Sequence, residues 1–421
     1  MKVLLLSYTF PPTPGIGGRR WAKFAKFLKG KDVTFHVIHS KSSLVHGDFW
    51  SDDVKDNPSV KTYPINFRFN KILAADNPNL IQKVLYRVVM FWARRSKYNP
   101  FDNAAFSEKR VVKLGSRIIQ KEGIDVIVVT APPHNMLHIA SQLKKKTGVK
   151  LVLDYRDLWN GHPTYSVYQK KTKKQLDYSL QQEKEALANA DRIFAVNNGL
   201  KQALINLNEG NNPEKFQTIY NGFDPDDFHM EIPKSTSDKI TMVFAGNIDI
   251  NLVDIVTDFI KSFKALKESA PEIYTKFKLK LFIHTNAPDF LKYVQSQSDE
   301  GLEVNNHFLE KDEYYKLLRS TDIGVFFLSS VYSDAFITKF SDYVANENFI
   351  VQVGYEGECA RYIKENNIGL TYHVGDGESF FRKLIEVNFA EAYKSYDARD
   401  FDLEKITEKV WQLLTELVAE N

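Results

Sequence analysis

The chain of 421 residues contains a single cysteine, Cys359, so it cannot form an intrachain disulfide. This scarcity favours a reducing compartment. The opening apolar run, Val3 to Leu6, is far shorter than the core of a signal peptide or a membrane-spanning helix. We therefore expect a cytoplasmic protein, with membrane contact limited to the inner face of the cell membrane.

Other chemistry-bearing patterns are also missing. The sequence has no Cys/His cluster with zinc-finger spacing, no HExxH motif and no Walker loop. These absences argue against a zinc site and a P-loop nucleotidase, and we expect neither a metal nor another cofactor. The chain also lacks a recognisable RNA-binding or DNA-binding module, so nucleic acid is not an expected partner.

Composition and charge point to a folded protein of two parts. Hydrophobic residues make up 43% and charged residues 26%, which excludes a largely disordered or collagen-like chain. The length suits two domains of roughly 200 residues each. The net charge of +3 hides a division, because residues 1–220 carry +17 and residues 221–421 carry −14. The two halves are therefore expected to meet partners of different charge.

Short apolar runs alternate with helical periodicity in both halves, which predicts α/β domains built on parallel sheets. The predicted strands are Lys2–Ser7, Val33–Ile38, Asp125–Thr130, Lys150–Asp154, Arg192–Val196, Phe216–Tyr220, Ile240–Ala245, Lys278–Ile283, Asp322–Phe327 and Phe349–Val353. Helices are predicted between them, including Arg19–Leu28, Asn135–Lys146, 253–268, 311–320 and 335–345. The order predicts two Rossmann-like domains that face a cleft.

The domain boundaries follow from composition. Residues 221–238 are rich in Asp, Pro and Ser and carry no periodicity, so they are the predicted junction. We predict an N-terminal domain over 1–220, a C-terminal domain over 221–396 and a final helix over 397–421. One stripe of this helix, which we expect to pack back toward the N-terminal domain, consists of Leu403, Ile406, Val410, Leu413 and Leu417.

Candidate site residues follow the strands, because open parallel sheets bind ligands at the carboxyl ends of their strands. The first loop, Phe10 to Arg19, contains Gly17 and Gly18 and leads into a helix whose amides favour an anion. The alternative is simply a tight strand-to-helix turn. The loop does not match the dinucleotide fingerprint, and no acidic residue ends the second strand, which argues against NAD.

Charged residues follow the later strands. Asp154 is better explained by a structural ion pair, whereas Arg156 and Asp157 are candidates for a direct role. In the second half, Gly246 and Asn247 follow a strand, and Asp334 and Asp342 flank a predicted helix start. The alternatives are a helix cap for Asp334 and a solvated helix carboxylate for Asp342.

Together these segments resemble the retaining, metal-independent glycosyltransferases of the two-Rossmann (GT-B) type, family 4, in a bacterial branch that makes surface polysaccharides. The resemblance spans the chain in motif order. Its motifs are Phe10-Pro11-Pro12, Gly15-Ile16-Gly17-Gly18-Arg19, Ala131-Pro132-Pro133, the Asp154–Trp159 stretch, Ala190-Asp191-Arg192-Ile193, Ile219-Tyr220-Asn221-Gly222-Phe223-Asp224 and Thr338-Lys339-Phe340-Ser341-Asp342-Tyr343-Val344.

The resemblance implies a role for each matching residue. It implies that the N-terminal domain binds the acceptor and the C-terminal domain the nucleotide-sugar donor. The candidate catalytic residues are Arg156, Asp157 and Asp334, and the acceptor-side candidates are His134 and Arg19. The implied donor-binding residues are Gly17, Gly18, Gly246, Asn247, Phe336, Ile337, Thr338, Lys339 and Asp342. Lys339 and the helix-start amides would face the diphosphate.

The implied activity is transfer of a sugar from a nucleoside-diphosphate sugar to a hydroxyl of a glycan or lipid-linked acceptor, with retention. Several positions depart from the family pattern. Asp334 and Asp342 stand where the family has two glutamates separated by seven residues, and Arg156 stands where it often has histidine. A nucleotide-sugar epimerase of the same fold and an inactive nucleotide-sugar binder are the alternatives.

A basic amphipathic segment is the last notable feature. Residues 83–95 read KVLYRVVMFWARR, with Leu85, Val88, Val89 and Trp92 in one helical stripe beside Lys83, Arg87, Arg94 and Arg95. Such a helix either packs on the domain core or lies in a membrane interface. With the basic run over 170–174, we expect residues 80–97 to bind an anionic membrane surface.

Overall fold

The structure is a computed structural model, and it describes residues 1–13, 16–41, 50–67, 79–160, 171–228 and 238–420. It divides into two compact units. The first unit comprises Met1–Tyr220 and Glu404–Asn421, and the second comprises Asn221–Leu403. The predicted junction over 221–238 begins at this division, although its residues 229–237 lie outside the described residues.

A seven-stranded parallel sheet forms the centre of the first unit, in the order β3-β2-β1-β4-β5-β6-β7. Its strands are β1 Lys2–Ser7, β2 Thr34–Ser40, β3 Val60–Ile65, β4 Val126–Ala131, β5 Lys150–Tyr155, β6 Arg192–Ala195 and β7 Phe216–Thr218. The central strands read as apolar runs because helices cover both faces of a parallel sheet. Strand β3 was not predicted, because it lies at an edge, is partly exposed and contains Pro64.

The helices of the first unit are α1 Arg19–Phe27, α2 Leu80–Arg95, α3 Glu108–Glu122, α4 Asn135–Thr147, α5 Lys173–Asn189 and α6 Asn198–Leu207. A short 3-10 helix, Ile16–Gly18, precedes α1. Gly115 lets α3 pack closely on α4, since a Cβ at this position would lie 2.7 Å from a methyl carbon of Leu143. The core therefore has no room for a side chain at this crossing.

The second unit contains a six-stranded parallel sheet in the order β10-β9-β8-β11-β12-β13. Its strands are β8 Ile240–Asn247, β9 Phe277–His284, β10 Leu302–Asn305, β11 Ile323–Leu328, β12 Phe349–Gly354 and β13 Gly369–His373. Strands β10 and β13 were not predicted, because both are short edge strands with several partly exposed polar residues. The predicted class, α/β with two Rossmann-like domains, is confirmed.

The helices of the second unit are α7 Val253–Ser269, α8 Pro271–Tyr274, α9 Pro288–Ser296, α10 Lys311–Arg319, α11 Thr338–Ala345, α12 Glu358–Glu365 and α13 Glu378–Leu384. Helix α11 is fixed to the sheet by Tyr343, whose ring occupies the space beside Gly324 and whose hydroxyl donates to the Val325 carbonyl at 2.8 Å. This packing sets the position of the other α11 side chains, which include Lys339 and Asp342.

The last helix, α14 Leu403–Ala419, joins the first unit from Glu404 onward, later than the predicted boundary at residue 397. Arg192 pairs with Glu420 at 2.5 Å, and Lys409 donates to the Thr218 carbonyl at 3.1 Å. The buried stripe runs through Leu414 rather than the predicted Leu413. Within the described ranges, no helix is both long enough and apolar enough to cross a membrane.

Candidate functional site

Each unit places candidate residues at the carboxyl edge of its own sheet. In the first unit, Arg156 follows β5 and its guanidinium lies against Gly17 in the 3-10 helix that follows β1. A Cβ at Gly17 would be 3.1 Å from Nη1 of Arg156. Arg156 Nη2 donates to the Pro132 carbonyl at 2.9 Å, and its backbone amide donates to the Ala131 carbonyl at 3.1 Å. The loops after β1, β4 and β5 thus meet at one guanidinium.

Gly18 holds the same loop close to the end of β1. A Cβ at Gly18 would lie 3.3 Å from both the Phe10 α-carbon and the Thr9 carbonyl oxygen. The backbone of the loop is therefore packed against the strand it leaves. Pro14 and Gly15, which belong to the first loop, lie outside the described residues.

His134 is buried, and its contacts with Asp157 and Trp159 hold the local structure together. Its Nε2 donates to the Asp157 carbonyl at 3.0 Å, and its ring stacks on Trp159 with centroids 6.2 Å apart. A carbonyl only accepts, so this contact assigns the proton to Nε2. His134 therefore fixes the backbone of the Asp157 loop, and its acceptor-side role remains a prediction.

Arg19 and Arg20 both point into the unit. Arg19 is buried, and its guanidinium lies over the Trp50 ring at 5.2 Å. Arg20 forms a buried ion pair with Asp154 at 3.2 Å, and Trp21 donates to the same carboxylate at 2.8 Å. The structural ion pair expected for Asp154 is therefore present, and its partner is Arg20.

Sequence reasoning missed Arg20, although a signal was available. A carboxylate at the end of a fully apolar strand requires a cation, and the helix after the first glycine loop offers two adjacent arginines. Arg20 also donates to the carbonyls of Ile219 and Tyr220 at 2.8 Å each. It thereby joins α1 to the segment that ends the first unit.

In the second unit, the Lys339 ammonium lies beside Gly246 at the carboxyl end of β8. A Cβ at Gly246 would be 2.5 Å from Lys339 Nζ, and the ammonium also lies 5.5 Å from the centroid of the Phe244 ring. Burial lowers the pKa of Lys339, and the nearby Asp342 carboxylate raises it. Among the described residues, no hydrogen-bond or ion-pair partner lies within reach of this ammonium. The next residue, Asn247, is exposed.

Asp342 lies one helical turn after Lys339 and is buried. Its carboxylate accepts a hydrogen bond from the Tyr314 hydroxyl at 3.3 Å. Burial raises the pKa of Tyr314 well above its usual value, and the Asp342 charge raises it further. Asp342 is therefore not the solvated helix carboxylate that the alternative required. Tyr314 is a second residue that the sequence did not reveal.

Asp334 has a structural contact away from its own helix start. Its exposed carboxylate accepts from the Glu358 amide at 2.8 Å, at the first residue of α12, and lies 3.7 Å from the Arg361 guanidinium. It is thus a helix cap, as the alternative proposed, but for α12 rather than α11. The catalytic role remains a prediction.

The remaining predicted donor residues form the approach to α11. The helix begins at Thr338, later than the predicted residue 335, and Ile337 is its N-cap. The Phe336 ring packs at 5.0 Å from Phe340 and 5.5 Å from Phe401, so it belongs to an aromatic cluster. Phe336 could therefore contact the donor only through its backbone atoms. The described residues contain no group of three or more His, Cys, Asp or Glu side chains placed to hold a metal ion.

Comparisons with known proteins agree with this arrangement. Residues 72–227 match the model described as Glycosyltransferase Family 4. Comparison with curated proteins gives no match. The predicted resemblance to GT-B glycosyltransferases of the family 4 type is confirmed.

Three solved structures span nearly the whole chain at low identity. HepE from Anabaena in complex with UDP has a TM-score of 0.64 at 14% identity, covering 99% of this chain and 100% of its own. A UDP-forming α,α-trehalose-phosphate synthase from Burkholderia xenovorans has 0.61 at 12%, with 100% and 99% coverage. A putative UDP-N-acetylglucosamine 2-epimerase from Listeria monocytogenes has 0.60 at 11%, with 100% and 97% coverage. These likenesses establish the fold.

Proposed function

Starting from a GT-B chain similar to the family 4 glycosyltransferases, we propose that this protein transfers a sugar from a nucleoside-diphosphate sugar to a hydroxyl group. In the proposal, the acceptor is a glycan or a lipid-linked glycan, the anomeric configuration is retained, and the product enters a cell-surface polysaccharide. The second unit binds the donor and the first unit binds the acceptor. No metal takes part in the proposed reaction.

The observation that carries the proposal is the Lys339 ammonium beside the Gly246 backbone. A lysine held at the carboxyl end of a parallel strand and at the start of a helix supplies a positive charge and amide donors together. A diphosphate has the complementary charge. Asp342 supports the site because its carboxylate favours the charged form of Lys339. We assign Asp342 to the ribose, and the backbone of Gly246 and of Phe336–Lys339 to the donor.

The proposed chemistry is front-face substitution at the anomeric carbon. The bond from this carbon to the diphosphate oxygen breaks, and its electron pair stays on the diphosphate. The acceptor oxygen bonds to the same face of the sugar, and its proton passes to the departing phosphate oxygen. The protein then contributes position and charge stabilisation rather than a covalent intermediate. In this proposal Arg156 and Lys339 stabilise charge, and Asp157 and Asp334 hold hydroxyl groups.

Nucleotide binding is the first test. Thermal shift of the full chain against UDP, GDP, ADP and TDP should identify one base. A ligand at about a hundred times its Kd stabilises by about 2.7 kcal/mol, which such an experiment resolves. Lys339→Met, which keeps the length of the side chain and removes its charge, should lose most of this shift. Equal shifts in the wild type and Lys339→Met would contradict the proposed donor site.

Turnover is the second test. Release of the nucleoside diphosphate should depend on added acceptor, and proton NMR of the product should show the anomeric coupling of the donor.

The epimerase alternative should be tested on the same purified protein. The structure of the putative epimerase has a TM-score of 0.60, close to the 0.61 of the trehalose-phosphate synthase. Conversion of UDP-N-acetylglucosamine to its epimer without acceptor would establish that alternative. Nucleotide binding without either reaction would indicate an inactive binder.

A further inference from the structure

Helix α2 exposes an unusual number of large apolar side chains. Seven of them repeat at helical spacing and form one stripe, and each side chain is 42–80% exposed. The stripe consists of Leu80, Ile81, Val84, Leu85, Val88, Phe91 and Trp92. Only Met90 and Ala93 of this helix are buried. The sequence left open whether the stripe packs on the domain core or is exposed. In the structure Leu85, Val88 and Trp92 face outward and only Val89 is partly buried, so most of the stripe does not pack on the core.

Cations accompany the apolar stripe. Residues 77–101 contain five basic residues and no acidic residue. Lys83, Arg87 and Arg94 are exposed and lie on one flank of the stripe, at helical spacings of four and seven residues. Arg95 lies within the stripe, and its guanidinium stacks 3.6 Å above the centroid of the Phe91 ring. The surface thus offers apolar and positively charged groups side by side.

A second basic segment adjoins the end of this helix. The Gln175 side-chain amide donates to the carbonyls of Ala93 at 3.2 Å and Tyr98 at 3.0 Å. This ties the start of α5 to the end of α2, so the exposed Lys173 and Lys174 extend the same surface. Of the run predicted over 170–174, Lys170 lies outside the described residues, and Lys171 turns inward to donate to Asn160 at 2.8 Å.

We propose that this surface, defined as the α2 stripe with Lys83, Arg87, Arg94, Arg95, Lys173 and Lys174, docks in the interface of an anionic lipid bilayer. Apolar side chains enter the boundary between headgroups and acyl chains, and the flanking cations meet lipid phosphates. Trp92 suits this depth because an indole has an apolar body and a polar N–H. The absence of any carboxylate over residues 77–101 favours an anionic partner.

This inference goes beyond the proposed transfer reaction and does not depend on it, because the surface lies on α2 and α5 and includes none of the candidate site residues. A lipid-linked acceptor would be reached from the same bilayer. The two proposals can fail separately, since vesicle binding is measured without any nucleotide and UDP binding without any lipid.

The test is co-sedimentation of the full chain with vesicles of phosphatidylcholine containing about a third phosphatidylglycerol, against pure phosphatidylcholine, at low and high salt. We expect binding to the anionic vesicles at low salt and at least tenfold weaker binding at high salt, because salt screens exposed charges. The triple variant Lys83→Glu, Arg87→Glu, Arg94→Glu should lose binding. Its control, Lys29→Glu, Lys31→Glu, Lys121→Glu, makes the same charge change at exposed positions elsewhere in the first unit and should keep it.

A second pair of variants tests the apolar stripe. Val84→Ser with Val88→Ser should weaken binding several-fold, whereas Val331→Ser with Val374→Ser, two exposed valines of the second unit, should not. Brominated lipid should quench tryptophan emission in the wild type and much less in Trp92→Phe. Melting curves show that each variant is folded.

Three outcomes would overturn the proposal. They are absence of binding to anionic vesicles at low salt, binding that both the charge and the valine variants retain, and a wild-type dimer that the valine variants abolish without any vesicle binding. The last result would assign the stripe to a second copy of the chain.

Discussion

The Lys339 ammonium lies against Gly246 so closely that a Cβ on the glycine would be 2.5 Å from Nζ. We predict that Gly246→Ala displaces the ammonium and weakens nucleotide binding about tenfold. Stability should also fall, because Gly246 has a φ of +157°, which a residue with a Cβ rarely adopts, so affinity is measured on the folded protein. Isothermal titration with the preferred nucleotide measures the loss, and Gly30→Ala, at a glycine with open space around it, controls for loss of a glycine alone.

Asp342 favours the charged form of Lys339, and this has a consequence for pH dependence. Burial lowers the pKa of Lys339 and the Asp342 charge raises it, so Asp342→Ala should lower that pKa further. Nucleotide binding by Asp342→Ala should be weaker than that of the wild type. As the pH is raised, the variant should also lose its affinity at a lower pH than the wild type does. Titrations from neutral pH up to the ordinary lysine pKa of 10.5 give both curves.

Tyr314→Phe is the matched control for this prediction. It removes the hydroxyl that donates to Asp342 at 3.3 Å and leaves the carboxylate charge in place. Its nucleotide affinity should stay close to that of the wild type. If Asp342→Ala and the wild type show the same pH profile, Asp342 does not act through Lys339.

Asp334 has two assigned roles that two substitutions separate. Asp334→Ala removes the acceptor for the Glu358 amide, which should cost roughly 0.5–2 kcal/mol of stability. Asp334→Asn keeps an oxygen acceptor and should keep most of that stability. If Asp334 also contacts the donor sugar, both variants should lose turnover per folded molecule. Melting temperature and turnover are measured together, and full turnover in Asp334→Asn would leave only the cap.

Arg156 and Arg20 should respond in opposite ways to removal. Arg156→Ala should lower turnover far more than stability, because this guanidinium, which donates to the Pro132 carbonyl, lies at the carboxyl edge of the sheet, where we propose that it stabilises diphosphate charge. Arg20→Ala should cost roughly 3–5 kcal/mol, because it leaves the buried Asp154 carboxylate without its cation. Chemical denaturation and turnover of both variants distinguish them. A large loss of stability in Arg156→Ala would assign Arg156 a structural role.

The difference between these arginines shows what the sequence could reveal. The apolar runs predicted the central strands of both sheets, because strands covered by helices on both faces must be apolar along their whole length. Edge strands such as Val60–Ile65 were not predicted, because their composition resembles that of loops. Asp154 was correctly expected to be paired, but its partner lies 134 residues away in sequence, and only the fold brings Arg20 to it.

The same limit applies to the candidate site. Both Gly17 and Arg156 were expected at the carboxyl edge of a parallel sheet, and they follow β1 and β5, the two strands on either side of β4. The cap formed by Asp334 on α12 and the Tyr314 hydroxyl on Asp342 depend on packing between helices, which leaves no local pattern. For α2, periodicity indicated a stripe but not which neighbours cover it, so its exposure had to come from the structure.

A buried carboxylate in the first unit should make stability depend on pH. Glu183 is fully buried, and its carboxylate accepts from the Asn160 side-chain amide at 2.7 Å. Burial raises the pKa of Glu183 from 4.5 to about 7, because the charged form loses its hydration. The folded state therefore binds the proton more tightly than the unfolded state does.

The sign of the effect follows from this pKa. A carboxyl group whose pKa is raised by folding contributes stability that is fully present below pH 4.5 and is lost as pH rises to about 7. Glu183→Gln keeps an oxygen acceptor for Asn160 and cannot ionise, so it lacks this loss. The melting temperature of the wild type should fall relative to that of Glu183→Gln as pH rises from about 4.5 to 7, by an amount equivalent to roughly 1–3 kcal/mol.

Glu209→Gln is the control, because Glu209 is exposed and its only described ion pair, with Lys184, lies at the surface. The difference between its melting temperature and that of the wild type should stay nearly constant over the same pH range. A constant difference for Glu183→Gln as well would show that folding does not raise the pKa of Glu183. The neighbouring Lys171 titrates above this window, since burial lowers its pKa only to about 8, so the change between pH 4.5 and 7 reports on Glu183.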